Sequence, residues 1–341
     1  MAAISGRRTE ILVGRIAYIP FYGPGQGNAY TLRMRDILAR FGKVEAFPGL
    51  GRAFSELAKN GRLDAIVANW EENQLLSPES GRLMWWSVPR FFARALLMRV
   101  VARKTIFVRH NVYPHAAGEK SRKSAKLCID CYEMLFSVAL THSGAHVARN
   151  RIYCPHPLYE RVLTNCVDVA AELPEEYFVM FGQIAPYKKI FDLAERLPAS
   201  VNLVIIGSVG DKAYSEKISS LRRDNVIYAP GYIADEKAQF IIERSKGVII
   251  GHADEDVVVS GTFFYALSMP KKIFAIETPF LRWVGARLPA GMLQLSANLD
   301  GLVAGMTTSE PAAPSKGVAE TIQREFGDDA VAAALGRVLG N

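Results

Sequence analysis

Long hydrophobic runs are missing from this chain of 341 residues. Its longest apolar stretches, such as Ile11 to Pro20 and Val248 to Ile250, fall well short of the roughly 20 residues that a membrane-spanning helix needs. No transmembrane segment is expected. A secretory leader is not read either: Arg7 and Arg8 stand near the start, but Glu10 and Arg15 interrupt the apolar residues after them. The expected location is the cytoplasm. Cysteine is scarce, with four residues, at 128, 131, 154 and 166. Cys128 and Cys131 form a CxxC, yet a redox pair belongs at a helix start with an exposed first thiol. This pair lies inside the apolar, helix-like run Leu127 to Leu140 and reads as two small buried hydrophobes. No repeat of solenoid period is present, and the one low-complexity tract is Ala312-Ala313-Pro314-Ser315.

What remains is the balance of a folded globular protein, 50% hydrophobic and 22% charged. The length favours two domains over one. Charge is unevenly spread: 24 Lys and Arg face 12 Asp and Glu up to residue 165, against 17 and 22 beyond it. The basic half reads either as an ordinary solvated surface or as facing an anionic partner, whether nucleic acid, an acidic membrane leaflet or a phosphorylated substrate.

Both halves alternate strand and helix signals. Ile11 to Pro20 reads as a strand, followed by the glycine-rich loop Gly23 to Asn28 and an amphipathic stretch from Tyr30 to Phe41. Val44 to Phe47, Ala65 to Asn69 and Thr105 to Arg109 repeat the strand, with helical stretches between. A second series holds Tyr177 to Phe181, Val201 to Ile206, Val226 to Tyr228 and Gly247 to Ile250. The fold class expected is α/β, with two doubly wound Rossmann-like domains facing a cleft. They span 1–165 and 176–320, with a hinge in Thr164 to Pro174 and a last helix, 321–341, that could cross back to the first domain. Ligands of such sheets sit beyond the C-terminal strand ends, so the loops there are the places to search.

Four segments carry possible chemistry. Gly182 and Gln183 end a strand, and Tyr187 and Lys188 stand before the next helix, where a lysine can pair with diphosphate oxygens. Ser260 is a good N-cap whose following N–H groups, on Gly261, Thr262 and Phe263, could hold an anion. Taken singly, each reads equally well as a solvated loop or a plain helix cap. Asp254-Glu255-Asp256 fits a D-x-D metal pattern but comes late in its domain, so ribose contact or a solvated loop is the preferred reading. After the strand ending at Asn69 come Trp70, Glu71 and Glu72. Glu72 is the leading candidate for a base that deprotonates an acceptor hydroxyl, Glu71 is in reserve, and His110 and His115 are alternatives. Lastly, Met84 to Lys104 sets Arg90, Arg94 and Arg99 among aromatic and aliphatic residues, the composition either of a helix at a membrane interface or of a core helix with snorkelling arginines.

The ordered set of Trp70 and Glu72, His110-Asn111 with Pro114-His115, Phe181-Gly182 with Pro186-Tyr187-Lys188, and Ser260-Gly261-Thr262 with Ala266-Leu267-Ser268 resembles the bacterial two-domain (GT-B) glycosyltransferases of exopolysaccharide assembly. It is similar to the xanthan-type β-1,4-mannosyltransferases and more distantly to the retaining family 4. Gln183 stands where family 4 usually has arginine, and Val257 and Tyr265 where it has glutamates, which leans toward the inverting group. The resemblance implies transfer of a hexose, mannose or glucuronic acid, from a GDP- or UDP-linked sugar to a polyprenyl-diphosphate-linked oligosaccharide. It implies no metal and no cofactor beyond the nucleotide sugar. Lys188, Ser260, Gly261 and Thr262 would hold the leaving diphosphate. Gly182, Gln183, Tyr187, Asp254 and Tyr265 would line the donor side; Trp70, Asn111 and His115 would serve the acceptor; Glu72 or His110 would be catalytic. The enzyme would sit on the inner face of the plasma membrane, in contact with anionic lipid. A nucleic-acid-binding protein using the basic half and a sugar-nucleotide epimerase are the alternatives; aromatics gathered in one helix rather than on strands speak against nucleic acid.

Overall fold

A computed structural model describes residues 14–23, 28–77, 80–114, 117–162, 173–252, 258–309 and 317–340. Contacts divide the chain into two units, Met1–Pro157 with Asp328–Asn341, and Leu158–Gly327. Each is built on a six-stranded parallel sheet.

In unit 1 the strands are β1 (Arg15–Ile19), β2 (Lys43–Ala46), β3 (Leu63–Asn69), β4 (Ala102–Arg109), β5 (Val138–Thr141) and β6 (Arg151–Tyr153). Their order is β2-β1-β3-β4-β5-β6, with Ile16 opposite Ala65 and Ile106 opposite Val138. β3 is buried along nearly its whole length because both faces are covered. Helix α1 (Ala29–Leu38) returns β1 to β2, whereas α2 (Leu50–Asn60), α3 (Ser87–Val101) and α4 (Glu119–Glu133) carry the chain the other way across the sheet. Right-handed crossovers therefore set α2, α3 and α4 side by side on one face and α1 on the other. Asn28 starts α1 by accepting from the Thr31 N–H at 2.9 Å.

Unit 2 contains β7 (Phe178–Phe181), α5 (Ile190–Arg196), β8 (Leu203–Gly207), α6 (Lys212–Ser219), β9 (Val226–Pro230), α7 (Asp235–Arg244), β10 (Gly247–Ile250), α8 (Gly261–Ser268), β11 (Ile273–Ile276), α9 (Pro279–Gly285), β12 (Leu293–Ser296), α10 (Leu299–Thr307) and α11 (Val318–Phe326). Its strand order is β12-β11-β10-β7-β8-β9. The last helix, α12 (Asp328–Leu339), belongs to unit 1, where Arg33 pairs with Asp328 at 2.6 Å and Lys104 donates to the Val338 carbonyl at 2.7 Å.

Several sequence expectations change. The expected last helix is two helices broken at Gly327, where a Cβ would lie 2.3 Å from the Gln323 carbonyl oxygen, so only glycine fits the bend. The run Leu127 to Leu140 is not one helix: α4 stops at Glu133, and Val138–Thr141 pairs with β4 as a strand. A four-residue apolar run in a buried parallel sheet has no periodicity to separate it from helix. Cys131 is exposed and Cys128 half-buried, so the pair is not a buried one. Cys166 and the expected hinge 164–172 lie outside the described residues, and the change of unit falls after Pro157.

Candidate functional site

Each sheet reverses its winding at one place, and each has polar residues gathered at the strand ends there. In unit 2 the reversal lies between β7 and β10. Such a crevice is where open α/β sheets take ligands. Gly182 leaves β7 with φ 106, and a short turn, Pro186–Lys188, brings the Lys188 ammonium back over it. Lys188 Nζ donates to the Phe181 carbonyl at 3.3 Å, and the Thr262 hydroxyl donates to the same oxygen at 3.2 Å. A Cβ on residue 182 would lie 2.9 Å from Lys188 Nζ and 3.2 Å from Thr262 Oγ1, so glycine keeps this pocket open. The lining also includes Gly251 and His252, over a floor of Met180, Ile205 and Ile249. Desolvation pulls the Lys188 amine down to about 8. None of the described ion pairs includes Lys188.

Ser260 caps α8 by accepting from the Phe263 N–H at 3.3 Å. The Phe263 N–H, one of the three expected to face an anion, is engaged by this cap. Helix geometry leaves Gly261 and Thr262 as the N–H groups without intrahelical partners. Thr262 lines the same pocket as Lys188, so a cation, a hydroxyl and one residue of a helix start meet there.

The remaining residues expected on the donor side are more scattered. Gln183 is exposed and lies against Gly210, where a Cβ would meet its side chain at 2.6 Å. The Tyr187 ring stands edge-on to His252 at 5.8 Å. Tyr265 is turned into the core between Phe181 and Tyr159, and its hydroxyl meets Asp235 Oδ1 at 3.2 Å. Asp254 and the rest of the D-x-D segment lie outside the described residues, as does His115.

In unit 1 the reversal lies between β1 and β3. Asn69 ends β3 with its amide Nδ2 donating to the Ile19 carbonyl at 2.8 Å. Its Oδ1 therefore faces His110 Nε2 at 3.0 Å and the Tyr30 hydroxyl at 3.2 Å. Trp70 follows in the left-handed region, φ 51, and lies flat on His110 with centroids 4.4 Å apart. Such a conformation in a bulky residue persists only where its surroundings enforce it. Arg109 holds the next loop by donating to the carbonyls of Asn111 and Val112, which fixes His110 and the buried Asn111.

The two adjacent glutamates differ completely. Glu71 is buried against Arg94 Nε at 2.6 Å and receives Gln74 and the Tyr132 hydroxyl as well. These contacts engage Glu71 with α3 and α4 inside the unit. Glu72 is fully buried; its carboxyl oxygens make no hydrogen bond of good geometry, although its own N–H and the Asn111 side chain lie close enough to oppose part of the effect of burial. Burial raises its carboxyl to about 7.

The sequence reading missed Tyr30, Asn69, His142, His156 and His252. His142 Nε2 lies 2.8 Å from the Tyr30 hydroxyl and its Nδ1 meets the Cys154 carbonyl at 2.9 Å. Burial lowers His142 to about 4, and lowers His156 well below its ordinary value. Both imidazoles are therefore neutral near pH 7. Their signal was present: His142 follows β5 as His110 follows β4 and His252 closely follows β10. Among the described residues, no group of three or more His, Cys, Asp or Glu side chains is placed to hold a metal ion.

No protein-family model matches the chain, and no curated protein matches it. Solved structures do share its fold. HepE of Anabaena, crystallised with UDP, superposes with a TM-score of 0.63 at 11% identity, over 96% of this chain and 100% of its own. An α,α-trehalose-phosphate synthase (UDP-forming) of Burkholderia xenovorans, in complex with glucose-6-phosphate, gives 0.59 at 11% identity, over 96% and 100%. AviGT4, a glycosyltransferase of avilamycin A biosynthesis, gives 0.56 at 12% identity, over 96% and 98%. At such identities the likeness establishes the fold: two Rossmann-like units of the GT-B class.

Proposed function

We propose that this chain is a glycosyltransferase that moves a hexose from a GDP- or UDP-linked sugar to a lipid-linked oligosaccharide of exopolysaccharide assembly. The observation that carries the reading is Lys188. Its ammonium sits at the switch point of unit 2, desolvated, with the Thr262 hydroxyl and the start of α8 beside it. A diphosphate supplies the charge that this pocket lacks, and accepts from all three donors.

In the proposed reaction an acceptor hydroxyl oxygen attacks the anomeric carbon as the bond from that carbon to the diphosphate breaks. The diphosphate leaves with the bonding pair, and Lys188, Thr262 and the α8 N–H groups take up its charge, without a metal ion. The hydroxyl proton passes to Glu72, with inversion at the anomeric carbon. A carboxyl raised to about 7 suits a base at neutral pH. His110 is the alternative base, and Trp70 and Asn111 would border the acceptor. The solved structures of the same fold that were obtained with UDP or glucose-6-phosphate support a nucleotide sugar as donor. The nucleic-acid and epimerase alternatives gain no comparable observation.

The test is product analysis of purified protein with several UDP- and GDP-sugars, with and without a membrane extract as acceptor source. A glycosylated lipid product, abolished in Lys188→Ala, is expected. Failure to bind either nucleoside diphosphate would end the reading.

A further inference from the structure

Two histidines of unit 1, His110 after β4 and His142 after β5, are held by groups that can only accept or only donate. Partners of that kind decide which ring nitrogen carries the proton. Asn69 settles the first ring. Its Nδ2 donates to the Ile19 carbonyl at 2.8 Å, and a carbonyl has no hydrogen to give, so Oδ1 is the amide atom that faces His110 Nε2 at 3.0 Å. An amide oxygen only accepts. His110 therefore carries its proton on Nε2, and Nδ1 is its accepting nitrogen.

His142 is the reverse case. Its Nδ1 lies 2.9 Å from the Cys154 carbonyl, so the proton sits there, and Nε2 accepts from the Tyr30 hydroxyl at 2.8 Å. Burial lowers His142 to about 4, so the ring stays neutral near pH 7 and keeps the lone pair that this bond needs. Tyr30 has one hydroxyl proton for two acceptors, and Asn69 Oδ1, at 3.2 Å, is the farther one. The proton goes chiefly to His142, which leaves Asn69 Oδ1 to His110. The ring plane of His110 is set by the same neighbours: Trp70 stacks on it, and Tyr30 stands edge-on with centroids 4.8 Å apart. Tyr30, Asn69, His110 and His142 are all buried, so bulk water does not compete for these bonds.

We propose that Asn69, backed by Tyr30 and His142, is a positioning residue that locks His110 in the Nε2–H tautomer, so that the imidazole meets a substrate hydroxyl through Nδ1 as acceptor. An amide is suited to this task. A carboxylate in its place would favour the imidazolium, which has no lone pair to offer a hydroxyl. That a sugar hydroxyl is what arrives rests on the transferase reading above, whereas the tautomer belongs to the unliganded protein and is read without turnover.

The experiment is a long-range proton–nitrogen correlation spectrum of the full chain labelled with nitrogen-15 at its six histidines. His110→Gln and His142→Gln, each lacking one set of signals, assign the two rings. Opposite tautomers are expected in the wild type, with the proton on Nε2 of His110 and on Nδ1 of His142. Asn69→Leu should convert His110 to a mixture of both tautomers, and Tyr30→Phe should leave it on Nε2, because Asn69 Oδ1 is still there. In a transfer assay, counted per nucleoside-diphosphate-binding site so that unfolded protein does not enter, Asn69→Leu should lower kcat about a hundredfold, the scale of a misplaced group. Its KM for the nucleotide sugar should change little, and Tyr30→Phe should lose less. A proton on Nδ1 of wild-type His110, or both tautomers together, would overturn the proposal, and this holds even where Asn69→Leu does not fold. So would Asn69→Leu with wild-type kcat. Wild-type protein with the expected tautomers and no transfer would count against the transferase reading alone.

Discussion

Arg94 Nε meets Glu71 Oε2 at 2.6 Å, with the carboxylate buried and the guanidinium nearly so. The contact ties α3 to the turn that carries Trp70 and Glu72, so it supports the candidate site without touching a substrate. Removing one member of a buried pair leaves the other uncompensated, which costs about 3–5 kcal/mol. Arg94→Met should therefore lower stability by that amount in urea unfolding. The double variant Glu71→Leu/Arg94→Met should recover most of it, because both charges are gone. A loss below about 1 kcal/mol in the single variant, the range of exposed pairs, would show that the pair is open to water.

Glu72 predicts a pH dependence of opposite cause. Burial raises its carboxyl from 4.5 to about 7, so the native state holds this proton more tightly than the unfolded chain. Stability should therefore fall as pH rises from about 4.5 to about 7 and stay level on either side, a contribution of up to about 3 kcal/mol. Glu72→Gln should remove that fall and be the more stable protein at pH 8. Unfolding of both proteins across the range measures it; parallel curves would mean that the carboxyl titrates normally. The same variant should lose transfer activity, since an amide cannot accept the hydroxyl proton.

Much of the fold was legible because it rests on βα repetition. Val201 to Ile206 and Thr105 to Arg109 are largely apolar runs ending at glycine or polar residues, and they overlap the strands Leu203–Gly207 and Ala102–Arg109. Lys188 and Ser260 were legible for the same reason, since both stand where a strand ends or a helix begins. Val138–Thr141 was not, because its apolar residues continue without a break from those of α4, and with it His142 was lost from view. The contrast between Glu71 and Glu72 was illegible in principle. It depends on Arg94, 23 residues away, reaching one carboxylate and not the other. For the same reason, composition alone left Arg94 open between a membrane-facing and a snorkelling arginine, whereas it reaches inward to Glu71.

Lys188 reverses the usual expectation that deleting a site residue harms stability. Its amine is lowered from 10.5 to about 8 by desolvation, so the unfolded chain binds this proton more tightly. Stability should rise with pH across that window, and Lys188→Met should stabilise the protein at pH 7 by up to about 3 kcal/mol. A bound diphosphate restores the charged form. At pH 8 to 9 binding should then take up a proton, visible as a dependence of calorimetric enthalpy on buffer ionisation. Lys188→Met should bind nucleoside diphosphate about 10–100-fold more weakly, the cost of one charge-assisted hydrogen bond, and take up no proton. Proton uptake that survives in the variant would assign it to another group.

Gly182 tests whether the pocket itself, and not just its charge, holds the ligand. Its φ of 106 disfavours any other residue, and a Cβ would stand 2.9 Å from Lys188 Nζ and 3.2 Å from Thr262 Oγ1. Gly182→Ala should cost about 1–3 kcal/mol through backbone strain alone. It should also displace the ammonium from the space beside α8, weakening nucleoside diphosphate binding about tenfold or more. Thr262→Val separates the two effects, because it removes one donor and leaves the backbone at 182 unchanged. That variant should lose affinity with little change in unfolding. If Gly182→Ala lost stability but kept wild-type affinity, the diphosphate would have to lie away from Lys188 and Thr262.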